Sequence, residues 1–81
     1  MVVFSKENGY PITIYMETAP KIEEVDGDEI KGYETSVIDN EGTLIDVFFH
    51  LDFSSKKMWA KGFFANYKYQ EKLKEINKSL K

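Results

Sequence analysis

The feature that most constrains this chain is a turn set between two strand-like runs. Ile30–Ile38 and Thr43–Phe53 flank Asp39-Asn40-Glu41-Gly42. Asp at the first position and Gly at the last suit a type I turn closed by a left-handed residue that forms a G1 bulge. This turn predicts a register: Asp39 opposite Thr43, Val37 opposite Ile45, Thr35 opposite Val47 and Tyr33 opposite Phe49. The second run alternates. Ile45, Val47, Phe49, Leu51 and Phe53 share one face, and Leu44, Asp46, Phe48, His50 and Asp52 share the other. The first, wholly apolar set is the expected core face.

The other segments are read around this hairpin. Val2–Ser5 and Ile12–Glu17 flank Asn8-Gly9, a hairpin signal because both central positions of a type I′ turn need φ > 0. Pro11 cannot donate to a ladder, which puts this hairpin near a sheet edge. Thr18–Glu29 holds Pro20, Gly27 and a run of acids without a sustained period, and reads as a long loop. Ser54–Lys57 reads as a polar turn. Met58–Ala65 reads as a further strand, with Met58, Ala60, Gly62 and Phe64 on the core side. Asn66 is the expected N-cap of a helix whose stripe is Tyr69, Leu73, Ile76 and Leu80. The expected architecture is α+β: an antiparallel meander of about five strands followed by one C-terminal helix packed on one sheet face. Residues 1–81 form a single small domain.

One helix cannot shield such a sheet. Five strands about 4.8 Å apart span roughly 20–24 Å, and a helix is about 10–12 Å across. The second face is expected to carry Tyr15, Leu44, Phe48, His50, Trp59 and Phe63, with Asp46, Asp52 and Lys61 among them. That mixture predicts a homodimer or a bound partner on the uncovered face.

Composition removes several classes of function. The 81 residues include no Cys, which excludes a disulfide framework, a zinc ribbon and a thiol nucleophile. A lone His50 and the lack of a recognisable nucleophile setting argue against an enzyme, and no cofactor or metal is expected. No apolar run approaches the roughly 20 residues of a membrane span. The opening run lacks the basic region and apolar core of a secretory signal, so the expected location is cytoplasmic. All 11 basic residues are Lys, so no guanidinium fork exists for bidentate readout of guanine or phosphate. Residues 1–54 set three Lys against twelve acids, net −9; residues 55–81 set eight Lys against two acids, net +6. Two patches of opposite sign can each steer a charged partner.

Two candidate sites follow. The first is an acidic surface of Glu17, Glu23, Glu24, Asp26, Asp28, Glu29, Asp46 and Asp52. The second is the stretch from residue 56 to 69, which interleaves ammonium groups and rings in the manner that single-stranded nucleic acid requires. Its candidates are Lys56, Lys57, Trp59, Lys61, Phe63, Tyr67 and Lys68. The order of a meander and then a helix resembles single-stranded-DNA-binding domains of the Whirly and positive-coactivator type. Gly42-Thr-Leu-Ile-Asp-Val47, Lys61-Gly62 and Leu73-Lys-Glu-Ile76 fall at roughly corresponding places. That resemblance implies binding of single strands. The acidic, Cys-free, single-domain composition resembles that of phage or mobile-element inhibitors, including anti-defence proteins, and implies a protein partner with a basic surface. The expected function is this second one: a non-enzymatic adaptor or inhibitor. Net charge decides it, because −9 over two-thirds of the chain repels phosphates.

Overall fold

The structure is a computed structural model and describes residues 1–79. Its elements in chain order are β1 (Val2–Phe4), a short 3₁₀ turn (Lys6–Asn8), β2 (Ile14–Val25), β3 (Asp28–Asp39), β4 (Leu44–His50) and α1 (Ser54–Ser79). The strands form one antiparallel sheet in the order β1-β2-β3-β4, with α1 on one face. The class is α+β as expected, with four strands rather than about five. No helix among the described residues is long and apolar enough to cross a membrane.

The expected loop over Thr18–Glu29 is instead most of a long hairpin. β2 and β3 pair from Ile14↔Asp39 to Val25↔Asp28. Asp26 (φ 53°) and Gly27 (φ 84°) both sit in the left-handed region, the requirement of a type I′ turn. Asp tolerates that region because its short polar side chain bonds locally, and Gly has no Cβ to clash. The Asn8-Gly9 signal does join β1 to β2, but through a longer connection. Asn8 closes the 3₁₀ turn, and only Gly9 (φ 90°) is left-handed, its N–H donating to the Lys6 carbonyl at 3.1 Å.

The Asp39–Gly42 turn forms as expected. Gly42 (φ 85°) donates its N–H to the Asp39 carbonyl at 3.1 Å, and Asp39 Oδ1 accepts from the N–H groups of Glu41 and Thr43. The register beyond it differs. A bulge between Val37 and Ile38 pairs Ile38 with Leu44 but Val37 with Asp46. Ile45 is the extra residue, and every later side chain is shifted by one. Because strand side chains alternate, that single slip exchanges the two faces. Phe48 and His50 therefore lie under α1, while Ile45 and Val47 are solvent-exposed and Phe49 is half-buried, the reverse of the expected arrangement.

The expected strand Met58–Ala65 is part of α1. Asp52 caps this helix: its Oδ1 accepts the Ser54 hydroxyl and the Ser55 N–H. That carboxylate satisfies an otherwise orphaned donor of the first turn and suits the positive end of the helix dipole. Lys56, Ala60 and Phe64, at i, i+4 and i+8, form the buried stripe. The expected stripe lies outside the core: Tyr69 is 59% and Ile76 47% exposed, Leu73 is half-buried, and Leu80 lies outside the described residues. Ala60 is fully buried and lets the helix come close, whereas nothing lies near the Cα of the exposed Gly62. The core is small: Phe4, Ile14, Met16, Val37, Ala60 and Phe64, with Tyr10, Phe48, Trp59 and Phe63 packed around it. Fully burying side chains such as Ile14, Met16 and Val37 contributes about 1.5–3 kcal/mol each. Of the residues expected on the open face, Tyr15 is on the side away from α1. Phe48, His50, Trp59 and Phe63 belong to the covered side.

Candidate interaction site

β4 pairs with β3 only as far as Tyr33↔His50. Beyond that point β2 and β3 continue alone as a two-stranded ribbon to the Asp26-Gly27 turn. The ribbon helps give the molecule its long axis of 55 Å, against 29 and 21 Å across. Its end collects Glu23, Glu24, Asp26, Asp28 and Glu29, five of the eight acidic candidates. Lys21 neutralises only part of this charge. Its Nζ bonds Glu34 and lies 3.5 Å from Glu23, and these partners hold the Lys21 ammonium above its usual pKa, Glu34 first. Glu24, Asp26, Asp28 and Glu29 make no ion pair among the described residues.

Register brings two of these acids into direct opposition. Glu24 is the cross-strand partner of Glu29. Like charges directly opposite destabilise a ladder, and no cation lies within ion-pair distance of either carboxylate among the described residues. Ile22 and Val25 stand beside it, 56% and 48% exposed. The ribbon end is thus a narrow projection with apolar contacts set among unpaired carboxylates.

The other acidic candidates are elsewhere, and two of them are occupied. Asp46 accepts the Trp59 indole N–H at 3.0 Å and the Val47 N–H at 2.9 Å. Asp52 caps α1, and its carboxyl is held below the usual pKa by the Ser54 hydroxyl first and the Ser55 N–H second. Glu17 lies opposite Ser36, well back from the tip.

The Lys and aromatic candidates separate onto different flanks of α1. Phe48, Trp59 and Phe63 form a ladder of nearly parallel rings, with centroids 5.5 and 4.9 Å apart and planes within 10°. Tyr67 extends it at 6.4 Å from Phe63. The Trp59 indole thus stacks with two protein rings. Lys56 is buried, its Nζ 4.5 Å from the centre of the Phe53 ring. Lys57, Lys61 and Lys68 instead rim a groove of about 630 Å³ between α1 and the β1–β2 connection, floored by Phe4, Tyr10 and Phe64. Periodicity assigned the ring ladder and the groove to one strand face; helical spacing divides them.

Sequence reasoning treated His50 as an isolated imidazole. It sits in a buried polar chain. Thr18 and Thr35 share a hydrogen bond of 2.7 Å between hydroxyls, and Thr35 Oγ1 lies 2.5 Å from His50 Nε2. His50 Nδ1 donates to the Asp52 carbonyl at 2.6 Å, because a carbonyl can only accept. The chain ties the centre of the sheet to the residue that caps α1. No protein family, curated protein sequence or solved structure matches this chain.

Proposed function

We propose that this protein is a non-enzymatic interaction module that presents the acidic end of the β2–β3 ribbon to a basic surface of a partner protein. It serves as an adaptor or inhibitor of the kind phages and mobile elements direct at other proteins. The observation that carries this reading is the opposition of Glu24 and Glu29 beside Asp26 and Asp28, with no cation paired to any of the four among the described residues. A lone protein gains nothing from this repulsion, and a basic partner removes it. Charge of one sign on a projecting tip also raises the encounter rate with an oppositely charged surface. Binding of single strands through Trp59 has less support, since its indole already stacks with Phe48 and Phe63 and donates its N–H to Asp46.

The test is capture of partners from the native host by the wild-type chain and by a variant carrying Glu24→Lys, Asp28→Lys and Glu29→Lys. Asp26 is left alone because its left-handed backbone shapes the turn. The variant keeps a like-charge pair across the ladder but sets it beside Lys31, so circular dichroism is used to confirm that it is folded. Specific capture that is lost on reversal and weakened by salt supports the proposal. Capture unaffected by the reversal refutes it.

A further inference from the structure

We propose that the groove rimmed by Lys57, Lys61 and Lys68 receives the acidic ribbon end of a second copy of this chain. This rests on the tip described above, and adds the site that binds it. The groove and the tip match in charge and in apolar character. The three lysines make no ion pair among the described residues; no acidic residue lines the groove beside Lys57 and Lys61, and Glu71 and Glu75 line only its continuation past Lys68. Its floor is a cluster of rings: Phe4 and Tyr10 are 5.1 Å apart, Tyr10 and Phe64 4.8 Å. The tip brings unpaired carboxylates at Glu24, Asp28 and Glu29 and an exposed valine, Val25, next to the turn.

Topology prevents a chain from filling its own groove. Phe4 pairs with Ile14, at the start of β2, while the tip is at its other end. At about 3.3 Å per residue, the separation along β2 is roughly 36 Å. α1 starts just after the His50 end of β4 and packs Phe64 on Phe4, so the groove lies at the Ile14 end of β2, remote from the tip. A rigid ribbon cannot fold back over that distance. Two chains lying antiparallel place each tip at the other's groove, satisfy both sites at once and close as a two-fold pair.

The experiment measures mass by sedimentation equilibrium as a function of concentration and salt, with two reversed variants. The tip variant carries Glu24→Lys, Asp28→Lys and Glu29→Lys. The groove variant carries Lys57→Glu, Lys61→Glu and Lys68→Glu. Circular dichroism confirms that both are folded. The wild type should approach twice its 9.4 kDa at about 10 mM salt and return to the monomer mass near 1 M, where the Debye length falls from about 30 to about 3 Å. Each variant alone should remain monomeric, and mixing the two should restore the doubled mass, because each tip then meets a groove of opposite sign. A single 9.4 kDa species at every concentration overturns the inference. So does a dimer that neither reversal weakens, as one formed through the open sheet face would be. So does a labelled oligothymidylate that binds the wild type and is lost on groove reversal. The groove variant also separates this inference from the proposed function. If it still captures host partners, their binding does not depend on self-association; if the tip variant alone loses them, the tip reading stands whatever the mass measurement shows.

Discussion

Replacing Thr35 with Val isolates the polar chain in the core, because the two side chains have nearly the same shape. Thr35 is fully buried, and its hydroxyl stands between Thr18 at 2.7 Å and His50 Nε2 at 2.5 Å. Thr18 is half-buried and recovers a partner from water, so its share of the loss is small. His50 is only 6% exposed and cannot do the same. Leaving one buried polar group without a partner costs about 1–3 kcal/mol. A mid-range loss of about 2 kcal/mol corresponds to a fall in Tm of roughly 8–16 °C for a domain of this size. Urea unfolding followed by Trp59 fluorescence should show a lower midpoint with an unchanged slope, since the surface exposed on unfolding is the same. Thr35→Ser keeps the hydroxyl and drops a methyl, so it should be the milder change. If Thr35→Val matches the wild type while Thr35→Ser is the damaging one, the methyl packs and the hydrogen bonds contribute nothing, and the reasoning fails.

Gly32→Ala should destabilise strongly, because a Cβ there would lie 2.5 Å from the Phe49 ring and 2.6 Å from the His50 carbonyl; a thermal melt equal to wild type would show that Phe49 and β4 shift aside freely. Gly42→Val puts a β-branched residue at φ 85° and should cost about 1–3 kcal/mol from backbone strain alone, since open space surrounds the position; an unchanged Tm would refute the turn assignment. Asp52→Asn should flatten the acid limb of the stability curve. The folded carboxyl titrates below its unfolded value, so its contribution is present above the unfolded pKa and is lost as pH falls through the folded one. Urea midpoints measured at neutral pH and near pH 3 should therefore differ less in the variant than in the wild type, and an equal difference would remove Asp52 from the acid response.

Local turn chemistry was the legible part of this chain. Asp39 and Gly42 announced the turn that forms, and Gly9 marked a left-handed residue between β1 and β2. The same chemistry was present at Asp26-Gly27 and was outweighed by Pro20 and the density of acids around it. Pro20 is tolerated because β1 pairs with β2 only from Ile14 to Met16, leaving the outer edge of the ribbon unpaired where no N–H is required. The faces of β4 were not legible, since alternation favours the wholly apolar set that begins at Ile45, and a bulge that no pattern announces turns that set away from the helix. The start of α1 was hidden for a related reason. Met58, Ala60, Gly62 and Phe64 alternate, while Lys56, Ala60 and Phe64 also repeat at helical spacing; the cap at Asp52 decides between them. The five carboxylates at the tip are neighbours in the sequence, but a strand register was needed to set Glu24 against Glu29.

The bulge at Ile45 leaves β4 with apolar side chains on both faces: Phe48 on one, Ile45, Val47 and Phe49 on the other. A chain that zips β4 onto β3 without the bulge still buries a comparable set of aliphatic and aromatic groups, so hydrophobic collapse does not tell the two arrangements apart. What distinguishes them is polar. Only the bulged register carries Asp46 to the Trp59 indole and His50 to the Thr35 hydroxyl. A slipped register leaves the Trp59 N–H and the Thr35 hydroxyl without these partners, so polar pairing rather than apolar burial selects the native sheet.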